Sequence, residues 1–181
     1  MVQYCPRCWK EIPPGADPCP HCGETTDEAG VPFVDRLLRT LHHPEPDRAG
    51  LAIDILAGRL QEPRAVEPLI DLLGGSTDAA ILRQAVHGLG MLGDSRAVPP
   101  LINVLRNPDV ALVVRCEAAA VLGALGGDSA RAALQQAARD PRPSVAGAAC
   151  QALEGQGRVR ANGVDGRHGA CAGPSDVPQR R

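Results

Sequence analysis

The sequence is nearly without aromatic residues. Tyr4, Trp9 and Phe33 are the only ones among 181 residues, and none follows Phe33. Any core built beyond that point must use Ala, Leu, Val and Ile, and no aromatic wall is available there to shape a small-molecule pocket. Lysine is almost missing too: of 19 basic residues all but Lys10 are Arg, which reads as compositional bias and not as function. No apolar run approaches the roughly 18 residues of a membrane span, and the N-terminus opens on Cys and charge instead of a signal-peptide core. The expectation is a cytoplasmic protein with no membrane partner. A dominant charge sign is also lacking, since the formal net charge is −2. Residues 1–32 carry two basic and five acidic side chains, 33–153 twelve and thirteen, and 154–181 five and three. No segment has the basic excess that phosphate-driven binding needs, so nucleic acid is not the expected partner. Tyr4, Arg7, Trp9 and Lys10 nevertheless form a small stacking set that keeps a nucleic-acid-associated protein as the alternative.

Four of the 7 cysteines fall within the first 22 residues, as Cys5-Pro6-Arg7-Cys8 and Cys19-Pro20-His21-Cys22. Two CxxC turns joined by a short loop suit one tetrahedral Zn²⁺ held by Cys5, Cys8, Cys19 and Cys22. Four thiolates around a dication leave −2, so backbone N–H donors in the turns must disperse charge. Gly23 follows the second pair, where a left-handed residue turns the chain back. Trp9 occupies that place after the first pair, which predicts strain. Paired disulfides would need an oxidising compartment that nothing else supports, and a redox CxxC explains two adjacent pairs less well than one shared ion. His21 lies inside its turn and is expected to aim outward. The Cys5–Gly23 segment resembles the short zinc ribbons, with CPxCG knuckles, found at the N-termini of bacterial proteins. That resemblance implies metal and no particular task. Rubredoxins share the knuckle, but their pairs are separated by a much longer loop.

The middle of the chain repeats. Val34, Leu37, Leu38 and Leu41 recur 32 residues on as Val66, Leu69, Ile70 and Leu73, and again as Val98, Leu101, Ile102 and Leu105. Each quartet has the spacing of one helix face. Stripes between them, Ile53/Leu56/Ala57/Leu60, Leu82/Ala85/Val86/Leu89, Ala118/Val121/Leu122/Leu125 and Val145/Ala148/Ala149/Ala152, obey the same rule. A period of this size predicts stacked helical pairs: eight helices, the last unpaired near Val145–Leu153. Gly93 is placed to end a helix in the left-handed conformation, with Asp94 or Ser95 capping the next, and Gly126-Gly127-Asp128-Ser129 is expected to repeat this. Pro68 and Pro100 fall early in their helices, where a missing N–H costs little.

The stretch Leu89-Gly90-Met91-Leu92-Gly93-Asp94-Ser95-Arg96-Ala97-Val98-Pro99-Pro100-Leu101 resembles the HEAT-like repeats associated with phycobilisome bilin lyases. Arg64-Ala65-Val66-Glu67-Pro68-Leu69 and Leu122-Gly123-Ala124-Leu125-Gly126 echo it. The resemblance implies an all-α fold, a short α-solenoid over residues 31–153, following a zinc ribbon at 1–30. It does not imply one function, because such repeats serve lyases, hydroxylases, regulators and scaffolds. Deoxyhypusine hydroxylases, a related family, bind two irons through His-Glu pairs. Here Arg115-Cys116-Glu117 has Cys in place of that His, and the chain contains no His-Glu dipeptide. The expectation is therefore a protein that is not an enzyme, a zinc-binding interaction or scaffold module for another protein; a subunit of a bilin-lyase-like enzyme is the further alternative.

Glu67, Asp71, Asn103, Gln135 and Gln136 lie on the second helices of the pairs, which line the concave side of HEAT stacks. They are the candidate partner surface, together with Trp9. Cys116 and Cys150 read as small core residues, His42-His43 as cations ending the first helix, and His87 as a helix-face residue. Residues 154–181 hold six glycines and no helical stripe, so a disordered tail is expected from Glu154, with Cys171 an exposed thiol. The abrupt loss of pattern there suggests a change of reading frame or gene end.

Overall fold

The computed structural model describes residues 3–161, the side chains of 156–161 excepted. A small N-terminal module has two short antiparallel strands, β1 (Gln3–Tyr4) and β2 (Glu11–Ile12), with Gln3 opposite Ile12. Its core is Cys5, Ile12 and Cys19. So small a core cannot hold a fold without a further staple.

Among the described residues eight α-helices follow: α1 (Phe33–Thr40), α2 (Pro46–Ile53), α3 (Val66–Gly75), α4 (Ala79–Leu92), α5 (Val98–Arg106), α6 (Leu112–Leu125), α7 (Asp128–Ala137) and α8 (Pro143–Ala161). Helices α1, α3, α5 and α7 form one layer and α2, α4, α6 and α8 the other, the α-solenoid of HEAT-like pairs that the period requires. The core runs between the layers through Leu41, Leu56, Leu69, Val86, Leu101, Leu122 and Leu134, all fully buried. All but Leu134 of α7 are stripe residues, each on the face its spacing assigns.

Small residues set the interhelix distance. A Cβ on Gly88 of α4 would stand 2.6 Å from Ile53 Cγ2, and one on Gly90 would stand 2.8 Å from Val121 Cγ2. The turns are capped by repeat-spaced acids: Glu62 accepts from the Arg64 N–H at 3.1 Å, and Asp94 from the Arg96 N–H at 2.9 Å. Two guanidiniums join neighbouring pairs, Arg64 to Asp35 and Arg96 to Glu67, each at 2.8 Å.

The structure departs from the sequence pattern in three places. Helix α2 ends at Ile53 and continues as a π turn over Asp54–Arg59, with Leu60 N–H bonded to the Ile55 carbonyl at 2.9 Å. The wider turn throws the fourth stripe residue, Leu60, out to solvent. Gly93 has the expected left-handed φ of +67°, but Gly126 and Gly127 lead directly into α7 with no side-chain cap from Asp128. Helix α8 continues past Leu153 to Ala161, where a disordered tail was expected. The three glycines of α8, Gly147, Gly155 and Gly157, cost only about 1 kcal/mol each. Cys171 and the rest of the tail lie outside the described residues.

Candidate metal centre and partner face

The two CxxC turns are built alike. Cys5 N–H donates to the Lys10 carbonyl and Cys19 N–H to that of Glu24; Trp9 N–H closes on the Cys5 carbonyl at 3.0 Å and Gly23 N–H on that of Cys19 at 2.9 Å. Inside each turn a backbone N–H meets the first sulfur, Arg7 to Cys5 Sγ and His21 to Cys19 Sγ, both at 3.4 Å. Gly23 takes a φ of +73°, and Trp9 is forced to +55°, the strain expected of a side chain at that position.

The turns bring four sulfurs within 4.8 Å of one another. Cys5 and Cys22 are 3.7 Å apart and Cys8 and Cys19 3.9 Å. A tetrahedral ion with bonds of about 2.3 Å needs sulfurs about 3.8 Å apart, so the donor set fits one metal ion. The thiols themselves are electrostatically unequal. Burial opposes charge on Cys19, but N–H groups of Cys22 and His21 outweigh it and bring its pKa to about 6. At Cys22 the Glu24 N–H favours the thiolate, yet burial and the neighbouring sulfurs prevail and push it up to about 12. A central cation is what allows all four to ionise together. His21 stands apart, its Nε2 3.0 Å from the Glu11 carbonyl oxygen.

Trp9 is engaged within the protein. It is half-buried, its Nε1–H donates to the Arg39 carbonyl at 2.9 Å, and its ring lies 4.7 Å from that of His43. Tyr4 meets the same imidazole edge-on at 5.2 Å. His43 is therefore not the cation at the end of the first helix that the sequence suggested. It is buried beyond the end of α1, its Nδ1 accepts from the Glu45 N–H at 2.9 Å, and burial holds its pKa below the ordinary histidine value.

Glu67, Asp71, Asn103, Gln135 and Gln136 are all exposed on α3, α5 and α7. The row is partly tied down: Glu67 accepts from Arg96, and Gln136 Oε1 from Arg106 Nη2 at 2.9 Å. Gln135 and Gln136 also line a recess of about 600 Å³ with Arg106, Arg139 and the pair Arg115–Asp140. Arg115 is only 4% exposed and also donates from Nε to the Leu105 carbonyl at 2.9 Å. The backbone N–H of Arg142 and, after it, the Arg115 guanidinium overcome burial and hold the Asp140 carboxyl below its usual range. Sequence reasoning missed this pair, although a guanidinium amid an apolar stripe was a visible anomaly. It also missed a groove of about 840 Å³ between α6 and α8, past Cys116 and Glu117. Glu117 Oε1 there lies 3.2 Å from His87 Nδ1.

Comparison with known proteins agrees with this architecture. Residues 34–114 match the family model described as HEAT repeats, and residues 114–140 that of the PBS lyase HEAT-like repeat. Comparison with curated proteins gives no match. Among solved structures, human deoxyhypusine hydroxylase in complex with glycerol superposes with a TM-score of 0.66 at 26% identity, covering 80% of this chain and 52% of that one. The complex of CpcE and CpcF of phycocyanin lyase from Nostoc sp. PCC7120 gives 0.56 at 28%, covering 82% and 60%. The chain thus spans little more than half the length of these neighbours. The expectation that the protein is not an enzyme is overturned by these likenesses: both neighbours are enzymes, and the second family model is named for a lyase. Missing His-Glu dipeptides speak against one di-iron chemistry and not against catalysis at large.

Among the described residues no helix is long and apolar enough to cross a membrane.

Proposed function

We propose that the protein is a zinc-bearing HEAT-like scaffold that docks on another protein through its second-helix layer. The observation that carries this reading is the exposed polar row of Glu67, Asp71, Asn103, Gln135 and Gln136 along three successive helices of one layer. A regular stack holds such a row rigid, so little ordering entropy is lost on binding. The phycocyanin lyase neighbour is a complex of two chains, and a similar role for this chain, as one subunit of a larger enzyme, accords with the proposal. The metal is zinc because four thiolates at tetrahedral spacing suit that ion. It folds the N-terminal module, whose own core is too small to stand alone.

The test is chemical cross-linking and capture with the wild-type chain and with Glu67→Arg/Asp71→Arg. Loss of the captured partner, with metal content and helicity unchanged, supports the second-helix layer. Undiminished capture by the double variant overturns it.

A further inference from the structure

We propose that the groove between α6 and α8 binds a single-chain amphiphile, an apolar chain ending in one carboxylate, with Arg131 holding the head group. This site shares none of the residues of the partner row, although Arg131 stands on α7, and it does not depend on the partner reading.

The groove follows from a change in interhelix packing. At the α4–α6 contact the bulky side chain of Val121 fills the space over Gly90, within 2.8 Å of where a Cβ would stand. One repeat later Gly123 faces Ala152, again at 2.8 Å but with a single methyl. Around that thin contact Ala120, Ala124 and Ala148 leave the interhelix furrow open, to about 840 Å³. That size lies in the range of small-molecule sites, roughly 300–1,000 Å³.

Charge gives the groove a polarity. Its lining includes one cation, Arg131, and one acid, Glu117. Glu117 is already engaged by His87. Arg131 is half-buried and has no polar side-chain partner among the described residues. It stands in the first turn of α7, beside Gly126 and Gly127, at one end of the groove. The other end runs out past Val113, which is 55% exposed, next to Leu112 at 38%. From Val113 to Gly126 is about 20 Å of helix. A guanidinium at one end and a floor mostly of Ala and Gly, with Gln151 its other polar side chain, leading to an apolar exit fit a carboxylate head with a trailing alkyl chain.

Displacement of 1-anilinonaphthalene-8-sulfonate from the full chain by dodecanoate, with dodecanol as the uncharged control, tests the proposal. Dodecanoate should displace the probe at micromolar concentration and at least tenfold better than dodecanol. Arg131→Gln should abolish that tenfold preference while leaving dodecanol unchanged. Ala124→Phe, at an exposed position that should not disturb folding, should block both ligands, and its melting curve checks the fold. Equal displacement by the acid and the alcohol, or a preference that persists in Arg131→Gln, overturns the head-group assignment. Binding undiminished in folded Ala124→Phe overturns the groove.

Discussion

The indole N–H of Trp9 donates to the main-chain carbonyl of Arg39 at 2.9 Å, so the residue that closes the first metal turn also fastens the N-terminal module to α1. The unfavourable φ of Trp9 is kept because the side chain has a partner, a strained conformation over-determined by its surroundings.

Removing the metal should therefore be visible in Trp9, the single tryptophan of the chain. A purified, reduced sample should hold about one zinc per chain. Chelation should shift the tryptophan emission to longer wavelength as the indole leaves His43, while most of the helical signal at 222 nm persists. Unchanged emission after complete metal loss would show that the module docks without its metal.

Leu101→Asp should damage the stack far more than Cys5→Ser. Leu101 is fully buried in the middle of the solenoid, and an unpaired carboxylate there costs several kcal/mol. Coupling between neighbours spreads that loss to the pairs on either side. Thermal melts followed by circular dichroism should separate the two variants clearly.

Two glycine substitutions should act with opposite sign. Gly88→Ala places a methyl 2.6 Å from Ile53 Cγ2 in the core and should destabilise by about 1–3 kcal/mol. Gly147→Ala, inside α8 with nothing within 4 Å of its new methyl, should stabilise by about 0.5–1 kcal/mol through helix propensity. Denaturant midpoints with equal slopes would measure both.

Acid should weaken the solenoid partly through Asp140. Its folded pKa lies below the unfolded value of about 3.9, so the folded state binds the proton less tightly. The stability this contributes is complete above that pH and is lost as the pH falls through the folded value. Asp140→Asn should flatten the dependence below about pH 4 and lower stability at neutral pH, where it strands the Arg115 guanidinium; breaking a buried pair costs about 3–5 kcal/mol. An unchanged acid profile in the variant would assign the pH dependence to other carboxylates.

Helix faces and the four-sulfur cluster were legible because their signals are local. Leu69 and Leu101 sit 32 residues apart on matching faces, and a CxxC turn fixes its sulfurs within four residues. What escaped depends on contacts between distant segments. Trp9 and His43 read as a surface aromatic and a helix-end cation until the fold places one against the other. Arg115 and Asp140 meet across 25 residues, and neither alone announces the pair. The π turn after Ile53 is invisible to a period count because the spacing from α1 to α3 stays at 32. Helix α8 outruns its apolar stripe, and pattern reading ends where the stripe ends, at Leu153.

The docking of Tyr4 and Trp9 beside α1 gives the solenoid a direction of unravelling. Among the described residues the N-terminal module, and not another repeat, precedes α1 and lies against it, where Trp9 bonds to the Arg39 carbonyl and Arg39 reaches Glu28. Taking the metal away should leave the middle pairs intact and let the N-terminal pair fray first on heating. Loss of amide protection would then advance from α1 toward α3 and α5 as a zipper opens, with the thiol cluster serving as its clasp.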